Sequence, residues 1–344
     1  MGINFIRFLL ATLVLISHSW PLTGYGKDPT FIYKDIELTL GTFAVSLFFG
    51  ISGFLVGYSV IKRSATDFIL NRILRILPAY VLILFVSAFM LGPLIHFSEG
   101  GGGLNTYFNF NQDGPIAYFL HNLIMPMDVT YKINNLFETN PYSFAINGSL
   151  WTLPLEFRLY LLLLLLVLIG KSIRGNFVTI LFISYLIFYF VFEELEIEIM
   201  KVIYSNFITQ NINLISIFFL SAGIAVYGHK IRFKAFPLLL VLVLIFWLDF
   251  YTEVFGIVIL MILLPKISKL TKINNFNFFK NDLSYGLYVF SFPTQQAVAY
   301  FFPEFNLLEF ILVALTFSVT LSLFSWKFVE SPFLRIKKKV QVNA

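Results

Sequence analysis

The feature that most constrains this chain is a series of long apolar segments that recurs along almost its whole length. A helix needs about 20 mostly apolar residues to cross the hydrocarbon core of a bilayer. Ten segments reach that length or fall short of it: Phe5–Trp20, Leu38–Val60, Ile73–Ile95, Leu150–Ile169, Phe177–Phe192, Ile212–Gly228, Phe236–Phe250, Val254–Pro265, Leu283–Phe302 and Leu308–Phe328. The seventh and eighth are short and can also be interpreted as one bent element.

The composition favours the same class of protein. Hydrophobic residues make up 58% of the chain and charged residues 12%, whereas soluble domains carry about 25% charged residues. The absence of cysteine excludes disulfides, thiolate zinc sites and a cysteine nucleophile. The sequence therefore predicts an all-α polytopic membrane protein with about ten transmembrane helices. Residues 1–335 form its membrane domain and residues 336–344 a basic cytoplasmic tail.

The distribution of lysine and arginine predicts the orientation of the spans. If the N-terminus is cytoplasmic, the inward loops and the tail hold seventeen basic residues and the outward loops hold four. Cytoplasmic loops carry such an excess, so both termini are expected inside the cell. The net charge of +5 does not indicate nucleic-acid binding, because the basic residues lie in short loops between spans.

The first span carries two polar residues that suggest a site. Arg7 and His18 are eleven residues apart, so on a helix they share one face and lie about 16 Å apart along the axis. A charge and a titratable ring are costly in lipid, so this face is expected to point into the protein interior. His18 can act as a general base near neutral pH. The alternative is a boundary histidine that only bonds a neighbour.

Two further arginines lie at the start of the third span. Arg72 and Arg75 are three residues apart, lie on one helix face and can hold a phosphate between them. Basic residues that flank a span on its cytoplasmic side would account for Arg72 equally well. Arg75 lies one turn deeper and is less easily explained in that way.

The fourth span contains Glu156, and a carboxylate at membrane depth indicates function by default. Glu156 can orient His18, bind the hydroxyl group of an acceptor, or form a structural pair between helices. The loop before this span, residues 97–149, is rich in Asn, Tyr and Phe. These side chains suit a sugar-binding element and equally a loop on the membrane surface. Trp151 can be a membrane-interface anchor or a functional residue.

Short motifs along nearly the whole chain resemble the acyltransferase-3 family, the membrane-bound O-acyltransferases that modify envelope polysaccharides, peptidoglycan and Nod factors. No single motif is decisive, but their order and spacing together are specific. In chain order they are the basic-X10-His pair Arg7 and His18, the Phe-Phe and Ser-Gly-Phe segment Phe48–Phe54, the RxxR pair Arg72 and Arg75, the W-x-L-x-x-E-x-x-x-Y segment Trp151–Tyr160, the SYGxY segment Ser284–Tyr288, and the closing VExP residues Val329, Glu330 and Pro332.

The resemblance implies an acyl-CoA donor on the cytoplasmic side, most often acetyl-CoA, which is a substrate, and no metal. It also assigns roles to the residues of the motifs. The expected catalytic residues are His18 and Glu156, the donor-binding residues Arg7, Arg72 and Arg75, and the substrate-binding residues Trp151, Tyr160 and Tyr285. The expected reaction is direct attack of an acceptor hydroxyl on the thioester, with His18 as the base, and an acyl-histidine intermediate stays open.

The resemblance further implies an acceptor in the cell envelope and a multi-pass protein in the bacterial inner membrane, surrounded by lipids. The expected acceptor is a lipid-linked or envelope saccharide such as O-antigen, capsule or exopolysaccharide. Family members often carry a histidine after SYGxY, where this chain has Ser291-Phe292-Pro293, so His18 is expected to act without it. The family's common SGNH domain is also missing, so either a partner protein completes the transfer or the membrane domain suffices.

Two classes of protein without this chemistry compete with that interpretation. A lipid or sugar exporter would have the same composition, but its usual mark is internal symmetry with paired broken helices, which the sequence lacks. A structural membrane subunit would explain the spans but not the polar residues at depth. A test of CoA binding distinguishes the enzyme from both of these classes of protein.

Overall fold

The computed structural model describes residues 2–33, 36–126, 128–172, 206–227 and 281–342. The predicted spans Phe177–Phe192, Phe236–Phe250 and Val254–Pro265 lie outside the described residues. The other predicted spans all coincide with helices. The prediction of ten spans and of the side on which the termini lie therefore stays a prediction.

The described residues are mainly helical. The helices are α1 (Gly2–Thr23), α2 (Leu40–Lys62), α3 (Ala65–Val86), α4 (Gly92–Ser98), α5 (Leu104–Tyr107), α6 (Pro115–Leu123), α7 (Thr152–Ser172), α8 (Asn206–Tyr227), α9 (Ser284–Phe301), α10 (Leu307–Ser325) and α11 (Ser331–Val342). Two five-residue π-helical turns, Ser87–Leu91 and Trp326–Glu330, join α3 to α4 and α10 to α11. The boundary predicted between residues 335 and 336 falls inside α11.

Five of the described helical stretches are long and apolar enough to cross a membrane. They are Gly2–Thr23, Leu40–Lys62, Ala65–Ser98, Thr152–Ile169 and Leu307–Ile336. This confirms the all-α membrane class for the described part of the chain. Because the third stretch begins at Ala65 rather than at Ile73, Arg72 and Arg75 lie about two turns inside the helix.

One short β-hairpin departs from the all-α prediction. Strands β1 (Thr30–Tyr33) and β2 (Ile36–Thr39) pair antiparallel, with Thr30 opposite Thr39 and Tyr33 opposite Ile36. Both strands are rich in β-branched and aromatic residues, which favour extended backbone. The hairpin lies between α1 and α2 in the sequence.

The chain divides into two compact units whose sequences interleave. Unit 1 comprises Met1–Val45, Asn71–Leu155 and Lys272–Ala344, and unit 2 comprises Ser46–Leu70 and Glu156–Thr271. Three of the four boundaries between them fall within α2, α3 and α7, and the fourth, between residues 271 and 272, lies outside the described residues.

Helix α9 is the centre of unit 1. It packs against α1 and α10, and fifteen of its 18 residues are buried. Several of the buried side chains are polar, among them Gln295 and Gln296, which are fully buried. These residues lower the hydropathy of α9, which explains why this predicted span is not among the five apolar stretches.

The long loop of residues 97–149 is folded rather than extended. It contains the short helices α5 and α6, and Tyr107, Tyr118 and Phe137 are fully buried in it. The Tyr107 hydroxyl donates to the carbonyl of Ala88 at 2.7 Å, and Tyr80 of α3 donates to the carbonyl of Asn122 at 2.7 Å. These bonds attach the loop to α3 and to the π-helical turn that follows it.

Glycine at position 92 is required by this packing. A β-carbon on Gly92 would lie 1.8 Å from the Tyr107 hydroxyl oxygen, so Gly92→Ala must displace Tyr107 and break its bond to Ala88. We expect a loss of about 1–3 kcal/mol of stability, the usual cost of overpacking, measured by thermal unfolding of the purified protein in detergent. Gly103→Ala is the matched control, because nothing lies within 4 Å of its β-carbon. Equal unfolding temperatures for the two variants would contradict this packing.

Candidate functional site

Asp282 joins two of the predicted donor-binding arginines. Arg7 from α1 and Arg75 from α3 both donate to its Oδ2 atom, Arg75 at 2.5 Å. All three side chains are less than one-fifth exposed, and all belong to unit 1. Residues 68 positions apart in the chain are thus brought to one carboxylate that lies immediately before α9.

The local sequence fixes the position of Asp282. Its Oδ1 atom accepts hydrogen bonds from the backbone N–H and the hydroxyl of Ser284, at 3.3 and 2.5 Å. A carboxylate at the start of a helix also interacts favourably with the helix dipole. Burial alone would raise the pKa of Asp282, but the charges of Arg7 and Arg75 and the bonds from Ser284 outweigh it and hold the pKa below its ordinary value. Asp282 is therefore ionised at neutral pH.

Other residues of the predicted motifs surround the same arginine. Glu330 is almost fully buried and lies 3.9 Å from Arg75, and its other carboxylate oxygen accepts from the Ser325 hydroxyl at 3.0 Å. The guanidinium carbon of Arg75 lies 5.9 Å from the ring centres of both Tyr285 and Trp326. A planar guanidinium group and an aromatic ring attract each other at this separation. The RxxR, SYGxY and VExP motifs thus meet around one guanidinium group.

His18 lies at the opposite end of α1 from Arg7. Its ring makes an edge contact with Phe292 of α9, with ring centres 5.5 Å apart. Its Nδ1 atom is buried and has no hydrogen-bond partner among the described residues. A buried polar atom without a partner costs free energy, and such atoms occur where a ligand completes the site. The catalytic role of His18 stays a prediction.

The residues on either side of His18 are fixed by hydrogen bonds. Ser17 donates to the Asp28 carboxylate at 3.0 Å and accepts from the backbone N–H of Gly41 at 2.8 Å. Ser19 accepts from the side-chain amide of Gln295 at 2.9 Å, and the same amide donates to the carbonyl of Leu15 at 2.8 Å. The backbone that carries His18 is therefore held from both sides.

Helices α1 and α9 lie side by side in the same direction. Arg7 contacts Asp282 near their first residues, and Leu15 and Ser19 contact Gln295 about three turns further along. The arginine cluster and His18 are thus the two ends of one helix pair. At a rise of 1.5 Å per residue they are about 16 Å apart along α1.

Glu156 belongs to a second polar cluster, in unit 2. Its Oε1 atom accepts hydrogen bonds from the Ser52 hydroxyl and the Tyr160 hydroxyl, and these two oxygens are 2.6 Å apart. Ser52 comes from the Ser-Gly-Phe motif and Tyr160 from the motif that contains Glu156. Next to Ser52, a β-carbon on Gly53 would lie 2.2 Å from the carbonyl oxygen of Phe218, so glycine allows α8 to approach α2. The role of Glu156 toward His18 or an acceptor stays a prediction.

Two of the predicted substrate-binding residues belong to unit 1 and one belongs to unit 2. Tyr285 is beside Arg75, and its hydroxyl donates to the carbonyl of Ile76 at 2.9 Å. Tyr160 is in the Glu156 cluster of unit 2. Trp151 lines a cavity in the folded loop of unit 1.

Asp282 and Asp28 are not among the site residues predicted from the sequence. Asp282 directly precedes the Leu-Ser-Tyr start of a predicted span. An acidic residue at that position was a sequence signal that could have marked it as a site residue. Asp28 lies in a polar connecting segment, and no sequence pattern marked it as a site residue. In the described part of the chain, no three or more His, Asp or Glu side chains are grouped closely enough to hold a metal ion.

Comparison with known proteins identifies the family. Residues 2–327 match the acyltransferase domain that defines acyltransferase family 3. The chain belongs to this family. It is 30% identical over 161 residues to an O-acetyl transferase of Shigella phage Sf6, covering 45% of this chain and 42% of that protein. It is also 30% identical over 176 residues to nodulation protein 10 of Rhizobium leguminosarum bv. viciae, covering 49% and 44%.

The alignments thus span less than half the length of each of these curated relatives. No solved structure matches the chain.

The arginine cluster provides a stability test. In Asp282→Ala, the partly buried guanidinium groups of Arg7 and Arg75 lose their shared carboxylate, and removing one partner of a buried ion pair costs about 3 kcal/mol. We expect a clearly lower unfolding temperature for the purified protein in detergent. Asp128→Ala is the control, because that side chain is 87% exposed. An unfolding temperature like that of the control would contradict the assigned ion pairs.

The low pKa of Asp282 also predicts a pH dependence. A carboxyl whose pKa is lowered by folding stabilises the protein above its unfolded-state pKa, and this contribution is lost as the pH falls through the folded-state value. The stability difference between the wild type and Asp282→Asn should therefore be full at pH 6 and shrink below about pH 4. Thermal unfolding between pH 6 and pH 3 measures it. A stability difference that grows as the pH falls would contradict the lowered pKa of Asp282.

Proposed function

We propose that this chain is an integral membrane O-acyltransferase that transfers an acyl group, in the first place acetyl, from cytoplasmic acyl-CoA to a hydroxyl of a cell-envelope saccharide. O-antigen, capsule and exopolysaccharide are the candidate acceptors, and the bacterial inner membrane is the proposed location. Membership of the acyltransferase-3 family supports the chemistry, and the phage relative bears the name O-acetyl transferase. The observation that carries the proposal is a helix pair with an arginine cluster at one end and, at the other, a half-buried histidine whose Nδ1 atom is buried.

The arginine cluster is the proposed site for the phosphate groups of the donor. Two guanidinium groups converge on one carboxylate oxygen, which is the arrangement that recognises phosphate oxygens. Asp282 holds the two side chains together although their like charges repel. Arg72, one turn before Arg75 on α3, is the third member of the proposed donor site. The phosphate-bearing half of CoA therefore fits the residues present.

His18 is the proposed general base. CoA supplies a thioester whose carbonyl carbon is open to attack. His18 accepts the proton of the acceptor hydroxyl as that oxygen forms its bond to the carbonyl carbon. The carbon–sulfur bond then breaks, the CoA sulfur takes the proton from His18 and leaves as the thiol, and an ester remains on the acceptor. The separation of about 16 Å between Arg7 and His18 is of the order of an extended pantetheine arm.

The test is acyl transfer from radiolabelled acetyl-CoA in membranes that contain the wild type or a variant. We expect His18→Ala to lower label transfer by at least 100-fold, the usual contribution of a general base. Arg75→Lys should raise the half-saturating concentration of acetyl-CoA about tenfold, because lysine cannot form the forked contact. The matched controls are His121→Ala in the loop and Arg63→Lys on an exposed turn. Each should behave as wild type.

A second measurement addresses the exporter. Purified wild-type protein in detergent should bind CoA, whereas an exporter without acyl-transfer chemistry has no reason to do so. If the wild type and all four variants transfer label equally, and the purified protein does not bind CoA, the proposed function is wrong.

A further inference from the structure

A cavity of about 630 Å³ lies in the folded loop of unit 1. Its walls come from residues 131–132 and 141–145 and from the segment leading into α7. The side chains that matter for its chemistry are Tyr131, Lys132, Tyr142, Phe144 and Trp151. A space of this size accommodates a small organic ligand.

The aromatic side chains of the cavity are unusually accessible. Tyr131, Tyr142 and Phe144 are 36%, 44% and 37% exposed, although Ile133 and Ile146 beside them in the chain are buried. Phe144 also has a φ angle of 64°, which is a strained backbone conformation for a bulky residue. Strain of this kind concentrates at ligand-binding sites. The loop thus holds three large rings at an open space, one of them on a strained backbone.

Lys132 adds hydrogen-bond donors to these rings. Its amino group lies 5.2 Å from the centre of the Phe144 ring and 3.7 Å from the Asp113 carboxylate. The C–H faces of a sugar ring are apolar and slightly positive, so they match the negative faces of aromatic rings. The hydroxyl oxygens of the sugar accept hydrogen bonds from an ammonium group. Aromatic faces beside one ammonium group therefore fit a saccharide better than a purely apolar ligand.

One aromatic ring contacts both His18 and the cavity lining. The Phe292 ring contacts the His18 ring and the Tyr142 ring, with centres 5.5 and 5.8 Å apart. Gly148, which lines the cavity, also lies against Phe292, because a β-carbon there would be 2.6 Å from the Phe292 ring. The cavity lining and the proposed base therefore contact the same side chain.

Two buried glutamines fix this arrangement. The side-chain amide of Gln296 donates to the carbonyls of Tyr142 and Ala145 at 2.7 and 2.6 Å, which ties the cavity wall to α9. The neighbouring Gln295 ties α9 to the backbone around His18, as described above. Both glutamines are fully buried. The distance between cavity and histidine is thus set by one rigid helix rather than by the loop.

We propose that this cavity binds the saccharide acceptor and that Phe292 is the wall past which the acceptor hydroxyl reaches His18. The inference rests on the proposed function, because His18 must be the base. It assigns Tyr142 and Lys132 as specificity-determining residues for the acceptor, in addition to Trp151. The acceptor saccharide stacks on the Tyr142 ring and accepts hydrogen bonds from the Lys132 ammonium group.

The test compares the acceptor and donor requirements of the same variants. The probe is the lipid-linked saccharide fraction extracted from the expressing cells, added in increasing amounts to purified protein with radiolabelled acetyl-CoA. In Tyr142→Ala and Lys132→Gln, we expect the half-saturating amount of this fraction to rise at least fivefold. The half-saturating concentration of acetyl-CoA should stay within twofold of wild type. Both side chains are more than two-fifths exposed, so both variants should fold.

The controls are residues of the same types outside the cavity. Phe110→Ala removes a ring that is 87% exposed in the same loop, and Lys27→Gln removes an exposed lysine. Neither should change the acceptor requirement. An unchanged acceptor requirement in both cavity variants overturns the inference, and so does a parallel rise in the donor requirement. Failure of the proposed function would be distinct, because the wild type would then transfer no label at any amount of the fraction.

Discussion

The carboxylate of Asp282 is the interaction on which the arrangement of unit 1 depends. It draws together arginines from α1 and α3, whose like charges would otherwise keep those helices apart. Since Asp282 is also bonded to Ser284 at the start of α9, it links three helices at one point. Gln295 makes a second link between α1 and α9 further along. Two polar links on one pair of helices fix both the direction of α1 and the distance between its arginine and its histidine.

The sequence was sufficient to predict the class of the protein and the positions of most helices in the described part of the chain. It also identified Arg7, Arg75, Tyr285 and Glu330, which the structure brings into one cluster. The periodicity of α1 was decisive, because eleven residues return a helix to nearly the same face. The sequence did not reveal Asp282 as the shared partner, since a contact across 275 positions leaves no local pattern. For the same reason it did not reveal Ser52 as a hydrogen-bond partner of Glu156.

The folded loop shows a different limit of sequence reasoning. Its composition of Asn, Tyr and Phe was compatible with a sugar-binding element and with a membrane surface, because composition does not tell buried rings from exposed ones. The structure separates them: Tyr107, Tyr118 and Phe137 form the loop's core, whereas Tyr131, Tyr142 and Phe144 stay accessible. Buried amides then connect the accessible rings to α9. Hydrogen bonds from glutamine to backbone carbonyls have no sequence signature beyond the residue type.

The polarity of α9 has a consequence for the assembly of this protein in its membrane. A helix with two fully buried glutamines and a proline at position 293 is poorly retained by lipid alone, because its amide groups would have no partners in hydrocarbon. The acceptors for their side-chain N–H groups come from α1, which is synthesised first, and from the loop. If α9 is the membrane span that the sequence predicts, its stable integration requires that the earlier segments are already in place.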